Sequence, residues 1–456
     1  MRKLTGRRRA TVRASTVAFA STLFLIPLSV TVPANAGPTP DPVQLTADQL
    51  PPALAQAVQR DLKMTPAEYL ARAASAQRLR RYASAFHAQR PKEFAGAWMN
   101  TDGKPVMAVT SLSAARIVAA DGYQTRLAPI SADNLQGSLA QLTQWIGTLP
   151  HQLSSAINSV AIDVLNSQLV LTVANTAAGH LLNLPTLIAN VKVVLAPNGG
   201  GPIEYRPMAG DTYISAPTAL DNSALKTVDV CSFGFNSVDA HGNALNISAG
   251  HCDPNLDSAD QRAGVWVPNP KNLKASPQAG SFVEAHVGDK SGLDYSVIKL
   301  TDRAVKAGMD QPSVRGANST TLTITGTADP VTGAPICKSG QSSTFTCGFV
   351  VADQVETQLF TAEGQSKTVH GFASSACTLG GDSGGAIVTG TLALGITSGS
   401  NAADAPDCRD ANIDLAQDGG TASLGIPIRP ILSDINAGSG GGLGSGVAVR
   451  IRPNRG

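Results

Sequence analysis

Gly381-Asp382-Ser383-Gly384-Gly385 places a serine between glycines, far from both ends of a 456-residue chain and beside apolar, strand-like sequence. A serine hydroxyl is a poor nucleophile unless a base removes its proton and a polar cavity receives the charge that forms on the attacked carbonyl. Glycine lets the backbone turn sharply and bring N–H groups close to a substrate. We therefore interpret Ser383 as a nucleophile and the N–H groups of Gly381 and Ser383 as an oxyanion hole. An ordinary Gly/Ser turn is the alternative, so the rest of the chain has to supply a base and a carboxylate.

Length and composition indicate a β-rich globular protein of two or three domains. The chain is 43% hydrophobic and 15% charged, and its 44 glycines and 28 prolines favour strands and turns over helical bundles. The formal net charge is +2, but the first 36 residues carry six basic side chains and no acid, which leaves 29 basic and 33 acidic residues. Nucleic acid is therefore not an expected partner, because no basic face remains to neutralise phosphates.

Residues 1–36 have the pattern of a secretory signal peptide. A basic start is followed by an apolar run over 17–30 and by Ala34-Asn35-Ala36, the small-x-small pattern of a cleavage site. A membrane anchor is the alternative, but the run is short and contains Pro27. No later stretch is long and apolar enough to span a bilayer. We expect a secreted, extracellular protein without a stable membrane anchor.

The six cysteines lie in the second half of the chain, in a protein bound for an oxidising compartment. An even set in that context favours disulfides. Six cysteines allow many pairings, and we choose neighbours in sequence: Cys231–Cys252, Cys337–Cys347 and Cys377–Cys408. No metal is expected, because no two cysteines have close zinc-finger spacing and only His251 lies beside one.

Residues 37–202 contain no cysteine and are predicted to form an α+β module. Thr65-Pro66-Ala67-Glu68 is a capping box with proline at the first helical position, which opens a helix to about Gln89. Asp102-Gly103 between two apolar runs indicates a hairpin. The Pro- and Gly-rich stretch 197–207 predicts an exposed linker.

Residues 203–437 change character, with short apolar strands separated by turn residues, as in an all-β barrel or sandwich. The Gly/Ser-rich remainder, 438–456, is predicted to be a flexible tail. Binding of a cell wall or polyanion by Arg450 and Arg452 is the alternative for this tail.

His251 and Asp294 are the candidates for the base and the carboxylate. Ile247-Ser248-Ala249-Gly250-His251-Cys252 places a histidine at the end of an apolar strand. A neutral imidazole there can take the serine proton and return it to a leaving amine. Asp294 opens another apolar strand, where a charge is costly without a partner. We expect Asp294 to accept the His251 N–H and to stabilise the imidazolium. The alternatives are a structural histidine and an exposed aspartate.

The three segments, in the order His251, Asp294, Ser383, resemble the chymotrypsin-like serine proteases, and more closely the bacterial secreted branch of streptogrisin and α-lytic protease. Ser-Ala-Gly-His-Cys, Leu-Asp-Tyr-Ser-Val and Gly-Gly-Asp-Ser-Gly-Gly carry the resemblance, which covers residues 209–432. It implies an all-β two-barrel trypsin-like domain, the same pairing of neighbouring cysteines, and a serine endopeptidase that uses no cofactor. Its partners would be protein or peptide substrates, and we expect a monomer.

The region before this domain is similar to the pro-domains of the same proteases. Phe94-Ala95-Gly96-Ala97-Trp98 and Ser159-Val160-Ala161-Ile162-Asp163-Val164 carry that likeness. The likeness implies a zymogen whose α+β pro-domain is an intramolecular partner and is cut away near the linker.

The resemblance also implies finer features of the site. In this branch the acid before the serine is braced by a basic residue just after the first cysteine of the second disulfide loop, which implies a structural ion pair of Asp382 and Lys338. A solvated surface lysine is the alternative. Proteases that prefer Arg or Lys carry an acid six residues before the serine, and Cys377 stands there. We therefore expect a small to medium apolar residue at P1. The expected substrate pocket comprises Thr378, Leu379, Ser398, Gly399 and Ser400.

Two other classes of function stay open at this point. One is a protease-fold binding module that has lost turnover through its altered pocket. The other is a secreted binding protein in which the N-terminal half acts by itself and the linker stays uncut.

Overall fold

The structure is a computed structural model, and it describes residues 44–148, 157–165, 167–173, 207–222, 225, 227–256, 258, 262–269, 272–288, 291–317, 320–360, 366–400, 408, 423–438 and 446–452. The predicted signal peptide (1–36) and most of the predicted linker (197–206) lie outside the described residues.

The N-terminal module combines helices with a small sheet. Its helices are α1 (Pro52–Ala57), α2 (Pro66–Gln89), α3 (Leu112–Ala120) and α4 (Ala132–Gly147). The predicted capping box at the start of α2 is confirmed: the side chain of Thr65 accepts the N–H of Glu68, and the Glu68 carboxylate accepts the N–H of Thr65. Its strands are β1 (Phe94–Met99), β2 (Pro105–Val109), β3 (Gln124–Leu127), β4 (Ile157–Asp163) and β5 (Gln168–Val173). The predicted hairpin joins β1 to β2.

The remaining strands form the β-rich part of the chain. They are β6 (Thr212–Ala216), β7 (Asp229–Ser232), β8 (Phe235–Val238), β9 (Ala244–Ser248), β10 (Gly264–Trp266), β11 (Gln278–Val287), β12 (Asp294–Leu300), β13 (Ser313–Arg315), β14 (Thr321–Thr323), β15 (Gly326–Thr327), β16 (Pro335–Gly340), β17 (Thr344–Phe360), β18 (Ser366–Ser374), β19 (Ala386–Thr389), β20 (Leu392–Ser400), β21 (Ser423–Pro427) and β22 (Ala448–Val449). Two helices follow strands here, α5 (Asp302–Ala304) and α6 (Ile428–Ala437).

These strands build two large sheets and the separate pair β13–β14, and part of the second large sheet closes into a barrel. The first sheet has the order β22-β8-β9-β12-β11-β10-β6-β7. In the second, β16-β19-β20-β21-β18-β17 closes into a ring because β16 also pairs with β17. The predicted fold class, an all-β trypsin-like domain preceded by an α+β region, is confirmed. His251 follows β9, Asp294 opens β12, and Ser383 precedes β19, so each of these candidate residues lies at or near a strand end.

The N-terminal module shares its core and a sheet with the β-rich part. Strand β4 pairs with β17, with Val160 opposite Glu356, so β4 and β5 extend the second sheet. Leu54 and Tyr69 lie in the same hydrophobic cluster as Ile396. The predicted boundary at residue 202 therefore divides the sequence into two segments, but the described parts of these segments pack together in the folded chain.

The tail differs from the expectation of a flexible segment. Ala448 and Val449 pair with β8, and the backbone N–H groups of Arg450 and Arg452 donate to the carbonyls of Asn236 and Ile324. Val447 and Val449 are buried. The prediction of flexibility is wrong for 446–452, because glycine-rich sequence before this strand does not prevent Ala448 and Val449 from completing a sheet edge. Among the described residues, no helix is long and apolar enough to cross a membrane.

Candidate active site

His251 and Asp294 meet at the ends of neighbouring strands. Strand β12 pairs with β9, so the start of β12 lies beside the turn that follows β9. His251 Nδ1 lies 2.7 Å from Asp294 Oδ2. An ionised carboxylate can only accept hydrogen bonds, so Nδ1 carries the hydrogen and the lone pair of Nε2 stays available as a base.

The Asp294 carboxylate is fully buried and is held by four hydrogen bonds. Oδ1 accepts the backbone N–H groups of Gly250 (2.8 Å) and His251 (2.9 Å), and Oδ2 accepts the Ser398 hydroxyl (2.5 Å) as well as His251. Burial alone raises the pKa of Asp294, but the His251 charge and these hydrogen bonds lower it below its ordinary value. The carboxylate is therefore ionised at neutral pH, and its position is fixed.

The same pair changes the basicity of the imidazole. Burial by itself lowers the pKa of His251, but the Asp294 carboxylate more than offsets this, and Asp229 adds to the effect, so the pKa is raised above the ordinary histidine value. The His251 side chain remains 31% exposed, whereas Asp294 has none of its surface exposed. A base with one shielded side and one open side suits proton exchange with a neighbouring group.

Backbone hydrogen bonds link the loop that carries Ser383 to residues close to His251 and Asp294. The Ser383 carbonyl accepts the N–H of Ser232 (2.8 Å), and Ser232 follows Cys231, whose disulfide partner Cys252 is next to His251. The N–H of Gly384 donates to the Thr397 carbonyl (2.7 Å), one residue before Ser398. These contacts hold the serine loop between β7 of the first sheet and β20 of the second.

Two glycines permit the sharp path of this loop. Gly381 and Gly384 have φ of +91° and +81°, a region that side chains rarely adopt. A Cβ on Gly384 would lie 2.0 Å from Ser248 Oγ and 2.6 Å from the Ser232 carbonyl oxygen, so a larger residue would displace these atoms. Within the described residues, the N–H groups of Gly381 and Ser383 donate to no protein group. They are therefore available to a ligand oxygen.

Ser383 Oγ itself forms no hydrogen bond with any described residue, His251 included. Catalytic hydrogen bonds are often long before substrate binds and tighten in the reacting complex. The structure thus brings His251 and Asp294 together directly, and it links Ser383 to them indirectly, through the bonds of its loop to Ser232 and Thr397.

Asp382 and Lys338 form a buried ion pair. Lys338 Nζ lies 2.7 Å from Asp382 Oδ2, and the two side chains are 1% and 0% exposed. Asp382 also accepts three backbone N–H groups, from Leu379 (2.9 Å), Ser342 (2.8 Å) and Ser343 (3.0 Å). Burial alone raises the pKa of Asp382, but the Lys338 charge and these hydrogen bonds lower it below its ordinary value. The pair anchors the serine loop to β16, and the N–H groups of Ser342 and Ser343 anchor it to the loop that follows β16.

The five expected pocket residues have different surroundings. Thr378 and Leu379 are buried, and Gly399 and Ser400 are half-buried. The sequence predicts Ser398 only as a pocket residue, but its hydroxyl also donates a hydrogen bond to Asp294. Thr378 Oγ1 and Thr397 Oγ1 are buried and make no hydrogen bond with any described residue. No sequence signal separates the hydroxyl of Ser398 from those of Ser400 and Thr397.

The cysteines pair as neighbours in sequence, with Cys231 joined to Cys252, Cys337 to Cys347, and Cys377 to Cys408. The sulfurs of Cys231 and Cys252 lie close to a ring nitrogen of His251, a grouping that in other proteins holds metals. Here the two sulfurs are bonded to each other, so they offer no thiolate to a metal ion.

Comparisons with known proteins identify the family. No family model matches the chain. Glutamyl endopeptidase 2 of Streptomyces griseus is 34% identical over 172 residues, which are 38% of this chain and 79% of that protein. The chain belongs to the chymotrypsin-like serine proteases. Its resemblance to the streptogrisin branch of that family is therefore confirmed.

Two more relatives extend the similarity beyond the protease domain. Streptogrisin-C of Streptomyces griseus is 26% identical over 406 residues, covering 88% of this chain and 79% of its own length. Serine protease 1 of Rarobacter faecitabidus is 26% identical over 382 residues, which are 84% of this chain. The chain spans 65% of the length of the Rarobacter protein. Similarity to this family of serine proteases thus includes most of the N-terminal module.

Proposed function

We propose that this member of the chymotrypsin-like serine proteases is a secreted serine endopeptidase, made as a zymogen and acting on protein or peptide substrates. The observation that carries the proposal is the Asp294 carboxylate, which is buried, ionised and 2.7 Å from His251 Nδ1. A buried charge is costly unless a partner compensates it, and here the partner is an imidazole whose side chain is 31% exposed and whose Nε2 bonds to none of the described residues.

The mechanism uses only groups of the chain. Ser383 Oγ attacks the peptide carbonyl while His251 Nε2 takes its proton, and Asp294 stabilises the imidazolium. The carbonyl oxygen becomes an oxyanion and accepts the N–H groups of Gly381 and Ser383. His251 then gives the proton to the leaving amine, which leaves an acyl group on Ser383. Water then attacks this ester while His251 Nε2 takes its proton. His251 returns the proton to Ser383 Oγ as the carboxylic acid product leaves.

Replacement of the nucleophile tests this activity. Ser383→Ala should abolish peptide hydrolysis and labelling by a serine-directed phosphonate, while the chain keeps its circular dichroism spectrum and melting temperature. Ser375→Ala is the matched control and should keep full labelling, because among the described residues Ser375 bonds only to the backbone of Phe349. Hydrolysis by Ser383→Ala at the parent rate would exclude the proposal. A folded parent that is never labelled would favour the binding-module alternative.

The zymogen proposal is supported by contacts between the N-terminal module and the protease domain. Asp61 Oδ2 accepts the N–H of Cys347 (2.9 Å), and Arg60 donates to the Phe345 carbonyl (3.0 Å). Tyr69 is fully buried and accepts the N–H of Gly390 (2.9 Å). These contacts join the module to the second sheet, as expected of an intramolecular partner.

Processing of the secreted protein tests the zymogen proposal. We expect the secreted parent to lack residues 37–202 and Ser383→Ala to retain them, as measured by intact mass and N-terminal sequencing. An active parent that keeps the module attached would refute the zymogen and favour an independent N-terminal domain.

The preference for small to medium apolar P1 residues is also a proposal. None of the five expected pocket residues is charged, so these five side chains offer no carboxylate to pair with Arg or Lys. One relative is named a glutamyl endopeptidase. A peptide library that includes Glu at P1 separates these preferences, and cleavage after Lys or Arg at the highest rate would refute ours.

A further inference from the structure

We propose that Ser342 is a positioning residue for the oxyanion hole, which it orients by holding the peptide between Gly380 and Gly381. The inference rests on the proposed function, because the hole has a role only if Ser383 attacks a carbonyl. Ser342 Oγ donates a hydrogen bond to the Gly380 carbonyl (2.5 Å). In a trans peptide the C=O and the following N–H point in opposite directions. Fixing the Gly380 carbonyl therefore fixes the direction of the Gly381 N–H.

This peptide needs an external anchor because glycines flank it on both sides. A peptide between two residues without Cβ atoms can rotate with little steric hindrance. Rotation by half a turn would point the Gly380 carbonyl, instead of the Gly381 N–H, at the substrate oxygen. The hole would then offer one donor and one repelling oxygen. The loop's own backbone does not prevent this, since the Gly381 N–H donates to no group among the described residues.

Ser342 is itself held in place from two directions. Its backbone N–H donates to Asp382 Oδ1 (2.8 Å), so the residue contacts both sides of Gly381. The side-chain amide of Gln341 donates to Ser342 Oγ, which leaves the hydroxyl hydrogen to point at the Gly380 carbonyl. Thr212 Oγ1 in turn donates to Gln341 Oε1 (3.4 Å). The ion pair of Lys338 and Asp382 thus positions the serine loop, and the Ser342 hydroxyl sets the orientation of the peptide between Gly380 and Gly381.

Variants of Ser342 in the full chain test the inference. Ser342→Ala should lower kcat on the order of tenfold, because one neutral hydrogen bond is lost, and should change KM by less than about twofold. This effect is smaller than the roughly 10²–10³-fold cost of deleting an oxyanion donor. A peptide aldehyde, whose adduct with Ser383 puts an oxyanion in the hole, should bind weaker by the same factor. Ser342→Thr keeps the hydroxyl and should restore both values.

The matched control is Thr344→Ala, which removes an exposed hydroxyl from the first residue of β17, two positions after Ser342, and should leave kcat unchanged. Ser342→Val shares the shape of Ser342→Thr without the hydroxyl, so this pair separates hydrogen bonding from packing. Equal kcat values for Ser342→Val and Ser342→Thr would overturn the inference. A rise in KM without a change in kcat would overturn it as well. The inference would also be overturned if active-site titration found no active enzyme in either Ser342→Ala or Ser342→Val, because that result indicates a role in folding. An inactive parent would instead refute the proposed function.

Discussion

Removing the charge of Lys338 tests how much the buried ion pair stabilises the serine loop. Lys338→Met keeps the length of the side chain but leaves the Asp382 carboxylate buried without its cation. Loss of one partner of a buried pair costs about 3–5 kcal/mol. Three backbone N–H groups would still bond to Asp382, so we expect the lower end, about 3 kcal/mol. The variant also removes the brace of the oxyanion loop, so activity should fall with stability.

The assay is urea unfolding, monitored by tryptophan fluorescence, in a Ser383→Ala background that prevents self-digestion. The matched control is Lys306→Met, which changes an exposed lysine and should stay within about 0.5 kcal/mol of the parent. Adding Asp382→Asn to Lys338→Met should recover part of the loss, because no unpaired buried charge remains. A Lys338→Met chain within about 1 kcal/mol of its parent would refute the reasoning.

The pair also gives the direction of a pH effect. The pKa of Asp382 is lowered in the folded chain, so its contribution to stability is present above the unfolded value and is lost as pH falls through the folded value. In Lys338→Met the folded pKa should rise, so acid unfolding should begin at a higher pH. An unchanged acid midpoint would contradict this assignment.

Three further predictions concern other parts of the chain. The kcat/KM for a peptide substrate should fall with decreasing pH through a His251 pKa above the ordinary histidine value, because the imidazolium cannot accept a proton; an apparent pKa at or below the ordinary value would contradict the geometry. Tyr69→Phe should lower the unfolding free energy of the uncut chain by about 1–3 kcal/mol in urea, because the Gly390 N–H loses its partner, and an unchanged midpoint would argue against this contact. A chain that ends at residue 445 should lose about 3 kcal/mol relative to one that ends at 452, because Val447 and Val449 are buried; equal melting temperatures would show that β22 does not contribute.

The amino-acid sequence by itself determined the family, the fold class and the candidate catalytic residues. His251, Asp294 and Ser383 are recognisable because each stands in a short segment of restricted chemistry: a histidine beside a cysteine, a lone acid opening an apolar strand, and a serine among glycines. The capping box of α2 is likewise a local pattern, in which two residues three apart satisfy each other's backbone groups. Such signals need no knowledge of distant contacts.

Only the tertiary structure decided the features that depend on residues far apart in the chain. Ser398 bonds to Asp294 across 104 residues, and Ser342 bonds to Gly380 across 38. Ala448 and Val449 of the tail pair with a strand that lies more than 200 residues earlier in the sequence. A serine hydroxyl or a valine carries the same local signal whether it faces solvent or a distant partner. The long-range pairing of strands determines which of the two it meets, and that pairing exists only in the folded chain.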